Sequence, residues 1–383
     1  MNVLSEKHEL IRKVTREFVL DKIKPIATQL DSRKEFPLEL LKQSADLELL
    51  KLRISIPKKY GGEGTDLISE CIVIEEFARE FGSMALIKMH NFLGCRLLLS
   101  GGTDKLIREY MLPSLKGEEL LTTALLTEAG TWSDPGSIKT TAVLMDDVWV
   151  INGTSCWIAN AEFAGSFIIT AKTNIKRGNN CVKVFVIEKD TPGLTVNNLN
   201  DTLGTFSASI GKLYFDHCRI PKENLLNYSK KRRPCFHNII DEGRILLSAM
   251  AVGLAQGALD RAFAYAKKRV QFDRQIIQFQ AISSYIADMA TQIEVTRTML
   301  YNVAAQRNTG YSLCKEAAML ELFSSEMCSK VCDKALQIQG GQGYTKGSDI
   351  ERYIRDSRIL LFGESVLDNC KKVITDCLLE VDF

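Results

Sequence analysis

Between positions 5 and 30, apolar residues recur close to every 3.6 positions, at Leu10, Ile11, Val14, Phe18, Val19 and Ile23. That period predicts an amphipathic helix. Pro37 follows a charged break and suits the first turn of a second helix. Ile56 to Gly64 reads as a loop on Gly61, Gly62 and Gly64. Helical spacing returns over 67–99. Gly101-Gly102-Thr103-Asp104 then predicts a helix stop followed by a new N-cap, and Pro113 is expected to end this unit.

The pattern changes after position 119. Val148 to Gly153 reads as a strand entering a tight turn at Asn152-Gly153, and Trp157 is expected to end the next hairpin. Ser166–Lys172, Val182–Glu188 and Lys212–Ile220 are further β-branched or aromatic runs, with Pro192 and Pro221 marking turns. A small antiparallel β domain is expected here. From 227 the helical period returns, in Ile282, Ile286, Met289, Ile293, Met299 and Val303. The predicted class is therefore α+β, mainly α: helices over 1–118, strands over 119–226, and a helical bundle over 227–383.

Composition narrows the function classes. Lys+Arg number 49 against Asp+Glu 47, a formal net charge of +2, which argues against a nucleic-acid binder acting through bulk charge. Charged residues at 25% and hydrophobic residues at 45% exclude general disorder. The longest apolar stretch, Ile245 to Ala255, is broken by Ser248 and Gly253. It is shorter than the roughly 18 residues a membrane span needs. The N-terminus has no apolar signal region. Eleven cysteines without a CxxC framework suggest reduced thiols in a cytoplasmic protein. No metal site is expected from the four histidines or from Cys328 and Cys332.

Three short segments hold candidate chemistry. Thr127 to Asp134 mixes hydroxyl residues with Gly130 and can present donors to an anion or a heterocycle edge. Trp157 is either a ligand-facing ring or a buried sheet aromatic. Gln337-Ile338-Gln339-Gly340-Gly341-Gln342-Gly343 is either a helix stop or a place of close approach for a ligand or backbone. It does not follow a strand, so a Rossmann reading fails.

Taken together and in order, these segments resemble the acyl-CoA dehydrogenase family over nearly the whole chain. The resemblance rests on Ile56-Pro57…Gly61-Gly62, Glu75-Glu76, Gly102-Thr103…Leu112-Pro113, Thr127-Glu128…Ser133-Asp134, Ile151-Asn152-Gly153…Trp157-Ile158, Asp241-Glu242-Gly243-Arg244, Arg269…Phe272, Gln337…Gly341 and Arg355-Asp356-Ser357-Arg358. It implies an N-terminal helical domain, a central β domain, a C-terminal four-helix domain, FAD as cofactor, and a homotetramer or dimer. It implies that a carboxylate removes the α-proton of an acyl thioester while the β-hydrogen leaves as hydride to the flavin.

Carried onto this chain, the resemblance places the base at Glu364, with Arg244 and Asp241 beside the thioester. Gly243 stands where some branches carry the base instead, and Glu242 is one residue off, pointing elsewhere on a helix. Leu126 and Thr127 would meet the flavin edge, Ser133 the pyrophosphate and Trp157 the ring. Arg269, Phe272, Gln337 and Gly341 would reach the FAD of a neighbouring subunit.

Some positions depart from the pattern. Trp132, Ala159, Asp273, Gly363 and Val366 stand where a small residue, Thr, Gly, an aromatic and a hydroxyl are usual. Gly363 removes a wall of the usual acyl pocket, and Lys230, Lys231, Arg232 and Arg233 form a basic loop. Both point to a small polar acyl group on an acyl carrier protein, as in hydroxymalonyl or aminomalonyl extender-unit biosynthesis. A conventional short-chain acyl-CoA dehydrogenase is the alternative, and a non-catalytic thioester- or partner-binding relative is a third. The electron acceptor is expected to be an electron-transfer flavoprotein or oxygen.

Overall fold

The computed structural model describes residues 4–47, 56–62, 67–125, 128, 137–173, 181–199, 201–228, 235–307, 313–362 and 367–379, with 235–237 by backbone only. Helix α1 (Glu6–Phe18) starts at a capping box. Ser5 Oγ accepts the His8 N–H at 3.4 Å, and His8 Nδ1 accepts the Ser5 N–H at 3.0 Å. A π turn (Val19–Ile23) extends it before α2 (Ala27–Arg33). The single helix expected over 5–30 is thus divided beside Pro25, which has no N–H to donate. Ile11, Phe18, Val19 and Ile23 face the core, whereas Leu10 is 50% exposed. Helix α3 (Leu38–Asp46) begins directly after Pro37.

Helices α4 (Leu67–Glu80) and α5 (Gly82–Gly101) break at Phe81. The stop at Gly102 is as read from the sequence, and Thr103 Oγ1 accepts the Leu106 N–H at 3.3 Å to open α6 (Asp104–Leu106). A π turn (Ile107–Met111) leads into α7 (Leu112–Leu115). Pro113 lies within the first turn of α7 rather than ending the unit, because a helix start needs no proline N–H. The chain turns at Gly117, with φ 72°.

The middle of the chain is a seven-stranded sheet of β1 (Leu120–Ala124), β2 (Thr141–Met145), β3 (Val148–Ile158), β4 (Ala164–Thr173), β5 (Cys181–Glu188), β6 (Leu194–Asn198) and β7 (Gly211–Pro221). Its order is β1-β4-β2-β3-β7-β6, with β5 also on β4. It is mainly antiparallel, but β1 runs parallel to β4. All five β1 residues are buried, so no alternation marks the strand in the sequence. The hairpin turn falls at Asp146-Asp147, not at Asn152-Gly153. Gly153 (φ 144°) sits at a bulge inside β3, and Trp157 is the last residue but one of that same strand.

The C-terminal helices are α8 (Cys235–Lys268), α9 (Gln280–Gln306), α10 (Cys314–Gln339), α11 (Gly341–Tyr344), α12 (Asp349–Ser357) and α13 (Leu367–Leu378); a hairpin of β8 (Val270–Gln271) and β9 (Arg274–Gln275) follows α8. Helix α8 is the central element. Its most apolar window is 78% buried within the protein, which accounts for its hydrophobicity. Cβ atoms at Gly253 and Gly257 would lie 2.2 Å from Glu75 O and 2.1 Å from Arg79 O. Only glycine lets α4 approach this closely, and the two contacts set α4 parallel to α8.

Helix α5 runs the other way. A Cβ at Gly82 would meet Leu254 at 3.1 Å, and Arg96 Nη1 lies 3.3 Å from Glu242 Oε2. Arg96 Nε also donates to Glu70 Oε2 at 2.8 Å, and Arg307 Nε reaches Glu242 Oε1 at 2.5 Å. This buried chain of charges ties α4, α5, α8 and α9 together. Burial pulls the Arg96 pKa down, but Glu70 and Glu242 outweigh it and hold the guanidinium charged.

Replacing Arg96 by Met removes the buried arginine that Glu70 and Glu242 share. Losing one partner of a buried pair costs about 3–5 kcal/mol; the expected loss of that size is read from urea or thermal unfolding. A second prediction concerns acid. His90 Nδ1 lies 2.8 Å from Thr123 Oγ1, and burial lowers its pKa from 6.5 to about 4. The folded state therefore disfavours the imidazolium. Stability is full above pH 6.5 and falls as pH drops toward 4. His90→Gln should flatten the unfolding profile over that window.

Candidate active site

Arg244 lies within α8 and is 4% exposed. Its Nη1 donates to Asp241 Oδ1 at 3.1 Å. Its Nε lies 3.3 Å from Glu321 Oε2 on α10, off line for a hydrogen bond. Burial works against the charge, but Glu321 and Asp241 prevail, and the guanidinium pKa is raised. Glu321 is itself fully buried and accepts Cys370 Sγ of α13 at 3.0 Å. The structure thus brings Asp241 and Arg244 together as an ion pair. Glu242 points away, toward Arg96 and Arg307, as its position on the helix requires.

On the far side of the 363–366 loop, α12 is anchored by its own charges. Arg355 Nη2 donates to Asp31 at 2.6 Å, and Asp356 Oδ1 accepts the Thr205 N–H at 2.6 Å. Burial, with Asp31 nearby, raises the Asp356 pKa to about 6. Described residues on both sides of the loop are therefore fixed, by Asp356 before it and by Cys370 after it. Gly363 and Glu364 themselves lie outside the described residues, as do Leu126, Thr127, Ser133 and Lys230, Lys231, Arg232 and Arg233.

Hydrogen bonds join the β domain to α5. His90 contacts Thr123 on β1, and Asn160 Nδ2 donates to the Ile87 carbonyl at 3.2 Å. Thr123 is four residues before Thr127, and Asn160 is three after Trp157. Glu128 accepts the Lys139 and Thr140 N–H groups at 2.7 and 2.8 Å. Trp157 is 52% exposed, with φ 61°. It is not a core ring of the sheet, a role taken by Trp149, which stacks edge-on to Phe185. An aromatic residue held at positive φ on an open strand end is a strained position of the kind found at ligand sites.

The remaining predicted residues lie elsewhere on the surface. Arg269, Gln337 and Gly341 are exposed, and Phe272 is 85% exposed in the β8–β9 turn. Phe272 and Asp273 take φ 51° and 60°, so the turn needs left-handed backbone, which Asp tolerates in place of Gly. Gly340 stops α10 with φ 58° and ψ −139°, a conformation essentially limited to glycine. Among the described residues, no hydrogen bond, ion pair or ring contact joins this group to Trp157 or Arg244.

The sequence reading missed Lys88, Glu321 and Cys370. Lys88 lies in the α5 run whose other residues are nearly all buried, and it is 7% exposed. It has no ion pair or hydrogen bond among the described residues. Its signal was available: the i±3 and i±4 positions are Met84, Ala85, Asn91 and Phe92, none of them acidic. Glu321 had no such signal, because its partners come from distant helices.

Comparison with known proteins places these features. The chain matches the acyl-CoA dehydrogenase N-terminal domain over residues 5–118, the middle domain over 123–218 and the C-terminal domain over 235–364. It is 35% identical over 379 residues to the caffeyl-CoA reductase-Etf complex subunit CarC of Acetobacterium woodii, covering 98% of this chain and 99% of that protein. The structure of butyryl-CoA dehydrogenase from Megasphaera elsdenii superposes with a TM-score of 0.92 at 28% identity, over 98% and 99% of the two chains. That of the prolyl acyl carrier protein oxidase AnaB gives 0.90 at 25%, also over 98% and 99%. The helical, β and helical regions and their residues therefore place this chain in the acyl-CoA dehydrogenase family of FAD-dependent oxidoreductases.

Proposed function

We propose that the chain oxidises a small, polar acyl thioester to its α,β-unsaturated product, with Glu364 as base. The observation that carries this is that α5 joins the other two elements: Arg96 reaches Glu242 beside Asp241 and Arg244 on α8, and His90 and Ile87 meet Thr123 and Asn160 of the β domain. The described residues fit a flavin: Trp157 offers an open ring at a strand end, and Glu128, next to Thr127 in sequence, is held by the Lys139 and Thr140 N–H groups. FAD, when bound, supplies the oxidant that accepts the β-hydrogen as hydride. The protein supplies the other half of the balance, taking the α-proton onto a carboxylate.

Removing a weakly acidic α-proton requires a base whose pKa is raised by desolvation and donors aimed at the developing oxygen charge. Arg244 is locked by Asp241 and Glu321. It serves as a positioning residue for the thioester and for the segment preceding Cys370. Leu126, Thr127 and Ser133 would hold the flavin edge and pyrophosphate. Arg269, Phe272, Gln337 and Gly341, all exposed, suit the FAD of a second copy in a homodimer or tetramer.

Coenzyme A is the carrier that the names of CarC and the butyryl-CoA enzyme favour, with an electron-transfer flavoprotein as acceptor. The acyl carrier protein is the second reading, supported by the basic residues Lys230, Lys231, Arg232 and Arg233 and by the likeness to AnaB. Such a charged segment would meet an acidic carrier surface.

Two outcomes follow. Glu364→Gln should retain bound flavin but lose turnover by at least ~1,000-fold, in line with losing a general base and its proton transfer; a normal rate would remove Glu364 from that role. Anaerobic bleaching of the flavin is then followed with one acyl group offered on CoA and on a phosphopantetheinylated carrier protein. Bleaching by the CoA ester is expected. Bleaching by the carrier-bound form alone would establish the second reading and give Lys230–Arg233 a docking role.

A further inference from the structure

Glu321 is fully buried, in a stretch of α10 where Ala317, Ala318, Leu320 and Ser324 are buried too. A carboxylate in such surroundings must be paired and hydrogen-bonded to stay charged. Two other helices supply partners. Arg244 Nε of α8 lies 3.3 Å from Oε2, and Cys370 Sγ of α13 donates to the same oxygen at 3.0 Å. Replacing a buried ion pair by well-packed apolar residues is often neutral or stabilising. Stability alone therefore does not account for an acid at this place. What a charged pair gives, and an apolar contact does not, is direction.

Arg244 is the group that direction serves. Its Nη1 donates to Asp241 at 3.1 Å, three residues earlier on the same helix. That contact fixes the guanidinium against α8 alone. Glu321 meets Nε from α10, so the planar group is held at two nitrogens from two different helices. Its plane cannot rotate without lengthening one of these contacts. Of the two carboxylates, Glu321 does more to keep the guanidinium charged. Through Cys370, the fourth residue of α13, the same carboxylate oxygen ties Arg244 to the helix that follows residues 363–366.

We propose that Glu321 is a positioning residue for the oxidation: it sets the angle at which Arg244 is presented to the acyl thioester and links that angle to the start of α13. This rests on the dehydrogenase reading above and deepens it. Glu321 acts through Arg244, so its effect vanishes once residue 244 no longer offers a planar guanidinium. A lysine there keeps the charge but has no plane to orient. Small misplacements of a positioning group are costly to rate, which makes the effect measurable.

The test is a double-mutant cycle on the flavin-loaded, full-length enzyme, with butyryl-CoA as first probe or whichever short acyl thioester bleaches the wild-type flavin faster. It is read as kcat, KM and the anaerobic rate of flavin bleaching. Glu321→Gln is expected to keep bound flavin and to lose about tenfold or more in kcat/KM. Arg244→Lys should lose at least as much. The double variant should lose little beyond Arg244→Lys, because the group that Glu321 orients is already gone. A merely structural Glu321 would instead give a double loss near the product of the two single losses. Should Glu321→Gln fail to hold flavin, Glu321→Asp, which keeps the charge on a shorter stem, takes its place under the same additivity criterion. A loss in Glu321→Gln below about threefold, or a double loss nearer the product than the larger single loss, overturns the role of Glu321 and leaves the dehydrogenase reading intact. Failure of every short acyl thioester to bleach the wild-type flavin overturns the dehydrogenase reading itself, and the positioning role with it.

Discussion

A charge buried between helices must be met by an opposite charge, and this protein arranges its centre around that requirement. The chain Glu70–Arg96–Glu242–Arg307 passes through α4, α5, α8 and α9. It fixes the register of α8 against α5, while Gly253 and Gly257 let α4 close on the same helix. The turn of α8 that carries Asp241 and Arg244 is held from both sides. Glu321 extends the arrangement to α10 and, through Cys370, to α13. The described residues that flank 363–366 are anchored by buried carboxylates: Asp356, which accepts the Thr205 N–H, and Glu321, which accepts from Cys370.

The helical, β and helical order was legible because periods of 3.6 and 2 alternate plainly along the chain. The stop at Gly102 and the cap at Thr103 were legible for the same local reason. Where the reading failed, tertiary packing had overridden local pattern. Strand β1 is buried on every residue and shows no alternation. Asn152-Gly153 has the composition of a turn but serves as a bulge, because β3 continues its ladder with β7 to Ile158. Leu10 fits the helical period but lies at its edge, in solvent.

The site divides along the same line. Asp241 and Arg244 are three apart on one helix, so their pairing follows from spacing. Trp157 was visible as a candidate, but its open setting depends on a bulge and a positive φ that no local pattern states. Glu321 and Cys370 meet Arg244 only through the packing of three helices distant in sequence. Lys88 stood in plain view as a cation in an apolar run.

The central claim is that the reacting thioester lies where α5, α8 and the β domain converge. The most direct measurement is a crystal structure of the flavin-loaded enzyme with a non-reactive thioether analogue of a short acyl-CoA. The account predicts the acyl chain beside α5 and α8, with its thioether end near Arg244 and Glu364. An acyl chain bound away from α5, or a thioether remote from Arg244, would contradict it.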